Sequence, residues 1–218
     1  MPLQIIFIGI AIVALLLLYL GTGRNLKLII FGGVWLIISG ALSYYGFFQN
    51  TSSLPPRMLW ILLPVVILVV SFYRIVDITA IRENYLIAIH ILRIPVELVL
   101  YQLFLNGKIP IIMTFRGWNF DIVIGISAIV ILGCYLLVRK RLNTDVFKVW
   151  NILGILFLLM IVSTAILSAP SPIQMFSFEN PNLALITFPY TLLPAVIVPI
   201  VLLSHLLCLK KLKSQVTL

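Results

Sequence analysis

Four polar side chains lie in one stretch of an otherwise apolar segment, "IHILRIPVELVLY". They are His90, Arg93, Glu97 and Tyr101. At 100° per residue these positions fall within an arc of about 80° on a helix, so they share one face. An ionisable side chain at the centre of a bilayer costs about 2.5–3.5 kcal/mol or more, which favours the protein interior over lipid. We therefore predict an internal polar cavity in which Arg93 holds an anionic group and Glu97 accepts a proton or a cation.

Pro95 lies between the arginine and the glutamate of this stripe. Proline has no N–H to donate, so the carbonyl of Ile91 loses its helical partner and the helix is expected to bend. The order Arg93 before Glu97 is the weaker i, i+4 orientation for an ion pair within one helix. We therefore expect both groups to have partners on other helices or on a ligand. The alternative is a buried Arg93–Glu97 pair that only fixes helix packing.

A second group of polar residues is predicted to form an outer vestibule. The connections 106–121 and 168–182 mix aromatic residues with Pro, Gly and a few charges. Connections of this length are often functional, so these two are expected to fold over the outer mouth of a helix bundle, unless they are ordinary structured loops. The candidate vestibule residues are Arg116, Asn119, Asp121, Glu179 and Tyr190.

Two histidines and two cysteines suggest an alternative metal or haem site. His90 and His205 are predicted at similar depths, and His205 has i, i+3 spacing with Cys208. The fourth candidate ligand is Cys134. The main expectation is nevertheless that no cofactor is present. An enzyme is not the expected class either, because H-E-x-x-H and G-x-S-x-G motifs are absent from the sequence.

The elements that must position these residues are membrane helices. Hydrophobic residues make up 62% of the 218-residue chain and charged residues 10%, against roughly 25% charged residues in a soluble domain. Apolar runs near 20 residues match the thickness of a bilayer, so we predict an all-α polytopic membrane protein with one seven-helix domain, residues 1–218. The predicted helices span about 2–21, 27–48, 57–74, 85–105, 119–138, 148–168 and 185–209.

Lys and Arg are distributed unevenly between alternate connections, which predicts the orientation in the membrane. Of 15 Lys and Arg residues, eleven fall on one predicted side and three on the other, and Arg93 lies within a segment. The eleven are Arg24, Lys27, Arg74, Arg82, Arg139, Lys140, Arg141, Lys148, Lys210, Lys211 and Lys213; the three are Arg57, Lys108 and Arg116. We predict an outside N-terminus, a cytoplasmic C-terminus and a cytoplasmic or plasma membrane location. The net charge of +9 is then attributed to topology and contact with anionic lipids, not to nucleic acid.

Three classes of function are compatible with this architecture. The first is a small transporter or channel for a small solute, an ion or a proton, gated by the third and seventh helices, which their prolines are expected to bend. The second is a receptor or sensor that binds a small molecule under the outer connections and signals through a partner protein. A homo-oligomer is a further possible assembly. The third is a redox protein or enzyme with haem or metal on His90 and His205.

Overall fold

The helices account for most of the described chain. The computed structural model describes residues 2–139 and 142–216, in which there are helices and turns but no strand. Its α-helices are α1 (Pro2–Gly21), α2 (Leu26–Tyr44), α3 (Leu62–Ile75), α4 (Glu83–Ile91), α5 (Arg93–Leu105), α6 (Asp121–Leu137), α7 (Thr144–Leu167) and α8 (Val198–Val216). Because α4 and α5 are separated only by Leu92, they form one interrupted helix. Since the described residues form helices and no strand, the all-α prediction is confirmed.

Six helical segments of the described chain are long and apolar enough to cross a membrane. They are Pro2–Gly21, Leu26–Tyr44, Arg57–Ile75, Glu83–Leu105, Thr144–Leu167 and Leu193–Ser214. The fifth predicted span corresponds to α6, which is apolar but has only 17 residues. At 1.5 Å per residue it is about 25 Å long, against a hydrocarbon core of about 30 Å. These lengths and compositions are those of a polytopic membrane protein.

The last span begins later than its hydropathy suggests. The prediction starts it at residue 185, whereas the helical segment starts at Leu193, after a 3-10 turn at Ala184–Ile186. Pro189 and Pro194 have no backbone N–H and therefore cannot continue a hydrogen-bond ladder. Residues 187–192, which the prediction included in the span, therefore lie between the 3-10 turn and the regular helical segment.

A side chain from α2 compensates for a third proline in this region. Residues Leu193–Ile197 form a π-helical turn that continues into α8. Pro199 cannot donate the usual i to i−4 hydrogen bond to the carbonyl of Ala195. The indole N–H of Trp35 donates to that carbonyl at 2.8 Å, which ties α2 to the bent segment.

Two helical spans lie at the centre of the bundle. In Glu83–Leu105 and Leu193–Ser214, 56% and 61% of the residues in the most apolar window are buried, against 22–39% in the other four spans. Within the first of them, α4 packs against α1, α6 and α8. The polar stripe lies on this central span, so it is positioned to face other helices.

The connection between α5 and α6 returns into the bundle. It starts after Leu105 and ends at Asp121, which contacts Arg93 at the other end of α5. Arg93 and Leu105 are twelve residues apart, about 18 Å along a helix axis. The chain must therefore descend by roughly this distance before α6 begins, which explains why α6 is short. The backbone N–H groups of Leu183 and Ala184 donate to the carbonyl of Lys108, so the two long connections support each other.

The basic end of α8 fastens the opposite end of the bundle. The ammonium group of Lys210 donates to the carbonyls of Tyr73 and Val76, where α3 ends. Lys211 donates to the carbonyl of Ile81 and lies 3.9 Å from the carboxylate of Glu83. Lys210 therefore caps the end of α3, and Lys211 fastens the turn that precedes α4. Lys140 and Arg141, which also contribute to the predicted charge asymmetry, lie outside the described residues.

Candidate functional site

Arg93 is the hub of a buried polar cluster between α5, α6, α7 and α8. Its Nη1 donates to the carboxylate of Asp121 at 2.8 Å, and both side chains are buried. Its Nη2 lies 3.2 Å from the carbonyl oxygen of Gly154 and 3.1 Å from Nε2 of His205. The guanidinium therefore joins a helix start, a backbone carbonyl and an imidazole from three other helices.

The protonation state of His205 follows from its neighbours. A guanidinium has donors and no acceptor, so Nε2 of His205 must accept from Arg93. Nδ1 then carries the proton and donates to Oδ1 of Asn151 at 2.9 Å, while Nδ2 of Asn151 donates to the carbonyl of Phe147 at 2.8 Å. His205 is thus neutral, and the cation of this cluster is Arg93 alone.

Glu97 and Asn119 complete the cluster on its other side. The amide nitrogen of Asn119 donates to Oε1 of Glu97 and, at 3.2 Å, to the carbonyl of Met113. The amide oxygen of Asn119 accepts the backbone N–H of Asp121 at 3.1 Å. The second carboxylate oxygen of Glu97, Oε2, is buried and has no hydrogen-bond partner among the described residues. We call Arg93, Glu97, Asn119, Asp121, Asn151 and His205 the central cluster.

Glu97 lies at the edge of a cavity between α3, α5, α7 and the bent segment before α8. The cavity has a volume of about 80 Å³. Its polar lining residues are Glu97, Asn119 and Asp121, and the other lining side chains are apolar, including Met58, Leu62, Val65, Leu100, Ile161 and Leu193. We call this space the central cavity. A buried carboxylate that lines a mostly apolar cavity and has one oxygen without a hydrogen-bond partner among the described residues is the most distinctive chemical feature of the bundle.

The two histidines meet directly. The rings of His90 and His205 stack with centroids 3.9 Å apart and an angle of 25°, and Trp150 packs on both edge to face. Nε2 of His90 lies 3.0 Å from the hydroxyl of Ser204, which also donates to the carbonyl of Val201. This places a proton on Nε2 of His90 and leaves its Nδ1 as an acceptor, which has no partner among the described residues.

This arrangement does not suit the haem or metal alternative. Imidazoles that bind a haem from both sides need the porphyrin between them, and rings stacked at 3.9 Å leave no such space. Within residues 2–139 and 142–216, no three His, Cys, Asp or Glu side chains are grouped closely enough to hold one metal ion. Cys208 is buried and Cys134 is half-buried, and both are free thiols.

The structure brings together part of each predicted group. His90, Arg93 and Glu97 of the stripe are buried at the centre, but the hydroxyl of Tyr101 lies near the protein surface and accepts from Arg116 at 3.1 Å. Asn119 and Asp121 of the predicted vestibule belong to the central cluster instead.

The remaining vestibule residues are dispersed. Arg116 contacts Tyr101, Glu179 is exposed, and Tyr190 packs against the ring of Phe7 with centroids 5.3 Å apart. The predicted vestibule of five residues therefore does not form one site. The reason is that the connection between α5 and α6 descends to the level of Arg93 at the start of α5, whereas Glu179 in the connection 168–182 is exposed at the surface.

A family model for a domain of unknown function (DUF8737) matches residues 57–213. The chain belongs to this family. No curated protein and no solved structure matches the chain. The DUF8737 region contains the whole central cluster and every residue that lines the central cavity, whereas α1 and α2 precede it.

Four residues of the DUF8737 region support the site but carry no conspicuous sequence signal. Asn151 and Ser204 orient the two histidines. Gly154 and Gly125 allow close packing, since a methyl group at Gly125 would lie 2.8 Å from Cγ1 of Ile94. A polar residue or glycine at a helix position facing another helix is the only available signal, and it is common in membrane helices.

We expect Gly154→Ala to lower the free energy of unfolding by about 2 kcal/mol, in the range for overpacking a close contact. A methyl group at Gly154 would overlap Cε1 and Nε2 of His205, so the imidazole would have to leave Arg93. Unfolding in mixed detergent micelles measures the change. Gly133→Ala on α6 is the control, because a methyl group there meets no atom within 4 Å. Equal stabilities of the two variants would show that His205 moves without cost.

Proposed function

We propose that the chain is a small membrane transporter or channel whose solute site is the central cavity. The observation that carries this proposal is the buried, unpartnered Oε2 of Glu97 at the edge of that cavity. A buried carboxylate that serves only packing would be expected to have all its hydrogen-bonding capacity satisfied. Glu97 instead keeps one oxygen without a hydrogen-bond partner among the described residues, as a binding residue would.

We propose for Arg93 a different part from the anion-binding role predicted for it. Both its Nη atoms contact protein groups, whereas its Nε has no hydrogen-bond partner among the described residues. Arg93 does not line the central cavity, although it lines a smaller cavity of about 20 Å³ together with Glu97 and Asp121. We propose that Arg93 holds Asp121 and the start of α6 in place, and that Glu97 meets the solute.

Irregular backbone lines the central cavity, which supports a gated pathway. Met113 and Asn119 come from the connection that descends between α5 and α6, and Leu193 and Pro194 come from the π-helical turn before α8. In transporters, interrupted helices and re-entrant segments line solute sites because their backbone can rearrange more easily than an intact helix. We propose these two segments as the gates.

We further propose that all seven helices cross a plasma membrane, with the N-terminus outside. The charge asymmetry of the connections supports this orientation. The short α6 is compatible with it because the connection before α6 reaches into the bundle and makes up the missing length. Anionic lipids are the expected partners of the basic end.

A cysteine in the central cavity tests this function. Ala165→Cys on α7 places a thiol on the cavity wall, in a chain whose Cys134 and Cys208 are replaced by alanine. A membrane-impermeant trimethylammonium methanethiosulfonate is added to either side of oriented vesicles. We expect labelling from both sides, because a transporter or channel opens its site to both.

The matched control is Ala128→Cys on α6, which is buried away from the central cavity and should remain unlabelled. Labelling of Ala165→Cys from the outer side alone would overturn the proposal in favour of a receptor. Protection from both sides would mean that the cluster only fixes helix packing.

A further inference from the structure

We propose that the central cavity takes a small lipophilic cation, an ammonium group on a hydrocarbon body, which replaces a proton on Glu97. This rests on the proposed function and specifies the solute of the same site. Three properties of the cavity carry the inference: the charge of the central cluster, the character of the cavity walls and the cavity volume.

The central cluster has one more acidic group than basic groups. Asp121 is paired with Arg93 at 2.8 Å. His205 accepts from Arg93 and is neutral, so it adds no positive charge. Glu97 is held by the uncharged amide of Asn119. With both carboxyl groups ionised, one negative charge has no partner in a medium where a lone buried charge is strongly disfavoured. Either a proton or a bound cation on Glu97 restores neutrality.

The walls of the central cavity select the kind of cation. Beyond the Glu97 end they are apolar, with Met58, Leu62 and Val65 from the α3 side and Ile161 from α7. A hydrated metal ion would need many oxygen ligands, which such walls do not supply. An ammonium group that carries hydrocarbon places its charge on Oε2 of Glu97 and its body against the walls, burying apolar surface on both partners.

The volume of the central cavity sets the size of this cation. About 80 Å³, at roughly 10–15 Å³ for each water-sized group, holds about five to eight non-hydrogen atoms. An ammonium group with a chain or ring of about four to seven carbons has about five to eight non-hydrogen atoms and therefore fits this volume.

The exchange conserves charge. When the cavity is empty of cation, the proton is bound to a carboxylate oxygen of Glu97. When the ammonium binds, the O–H bond breaks, the proton leaves to the aqueous phase, and the cation takes its place beside the carboxylate. The groups that face Glu97 are Arg93 on α5, Asp121 on α6 and Asn119 before it, while the cavity residues of α3, α7 and the segment 185–198 have no titratable side chain.

Binding of a matched pair of probes tests the inference on purified protein in detergent. Pentylammonium and 1-pentanol have the same number of non-hydrogen atoms and differ in charge. We expect pentylammonium to bind at least tenfold more tightly near pH 7, with close to one proton released into weakly buffered medium per cation bound. Glu97→Gln should lose both the preference and the release. Glu179→Gln, at an exposed acidic residue, should change neither.

Failure of this inference is distinguishable from failure of the proposed function. Equal or tighter binding of 1-pentanol, or cation binding without proton release, overturns the cation exchange while leaving a solute site in place. No binding of either probe to a folded protein also overturns the inference, whereas the function itself is judged by labelling of Ala165→Cys. Loss of pentylammonium binding in Glu179→Gln would assign the effect to surface charge and overturn it as well.

Discussion

Replacement of Arg93 by methionine is expected to lower the free energy of unfolding by about 3–5 kcal/mol, the usual cost of leaving a buried charge without its partner. Arg93 and Asp121 are both buried and their side chains meet at 2.8 Å. Methionine keeps the length and apolar stem of the side chain but removes the cation. The carboxylate of Asp121 then remains at the start of α6 with only uncharged neighbours and the second acid, Glu97.

A double variant separates the charge effect from the loss of packing. Arg93→Met combined with Asp121→Asn removes both charges of the pair, so most of the lost stability should return. The surface control is Arg116→Met, whose guanidinium donates to Tyr101 at an exposed position and should cost less than about 1 kcal/mol. If Arg93→Met cost no more than Arg116→Met in mixed-micelle unfolding, Arg93 would not be the hub of the cluster.

The buried part of the polar stripe was predictable because helical periodicity fixes which residues share a face. His90, Arg93 and Glu97 follow one another within about two turns, and burying any one of them away from lipid buries the others. Tyr101 shares the angle but lies four residues beyond Glu97, about 6 Å farther along the axis. At that height it contacts Arg116 and the ring of Phe115. Angle alone therefore predicts the face and not the depth.

The partners of the stripe were not predictable from the sequence. Asp121 was expected near the outer end of its helix, where a carboxylate is ordinary. Its burial beside Arg93 depends on the path of the preceding connection, which is supported by hydrogen bonds from Leu183 and Ala184 to Lys108. Such contacts join residues far apart in the chain, and no local pattern encodes them. For the same reason the predicted vestibule mixed residues from two different depths.

Irregular backbone was only partly foreseen. The prolines of the last span predicted a bend, and a π-helical turn is present at Leu193–Ile197. The start of that span was placed at residue 185 because hydropathy does not distinguish an apolar helix from an apolar coil. Side-chain donors from α2 support this irregular backbone: Ser43 bonds to Thr191 before the π-helical turn, and Trp35 bonds to Ala195 within it.

Asn119→Asp is expected to cost about 3 kcal/mol or more near neutral pH, although it replaces one NH₂ group by one oxygen. The amide oxygen of Asn119 accepts the N–H of Asp121, so its nitrogen must face Glu97. The exchange turns the donor of a buried hydrogen bond into an acceptor and adds a third carboxyl group to a cluster with one cation.

The pH dependence of this variant identifies the cause. With three carboxyl groups and one cation, the cluster of this variant needs two protons to be neutral, one more than the native cluster. The loss of stability should therefore be smaller at pH 5 than at pH 8, as measured by unfolding in mixed micelles. Asn106→Asp is the matched control, because Asn106 is exposed and its side-chain amide donates to the carbonyl of Gln102; its cost should be small at both pH values. A cost at Asn119 that does not change with pH would mean that the amide supports the descending connection through Met113, and that the charge of the central cluster does not govern its stability.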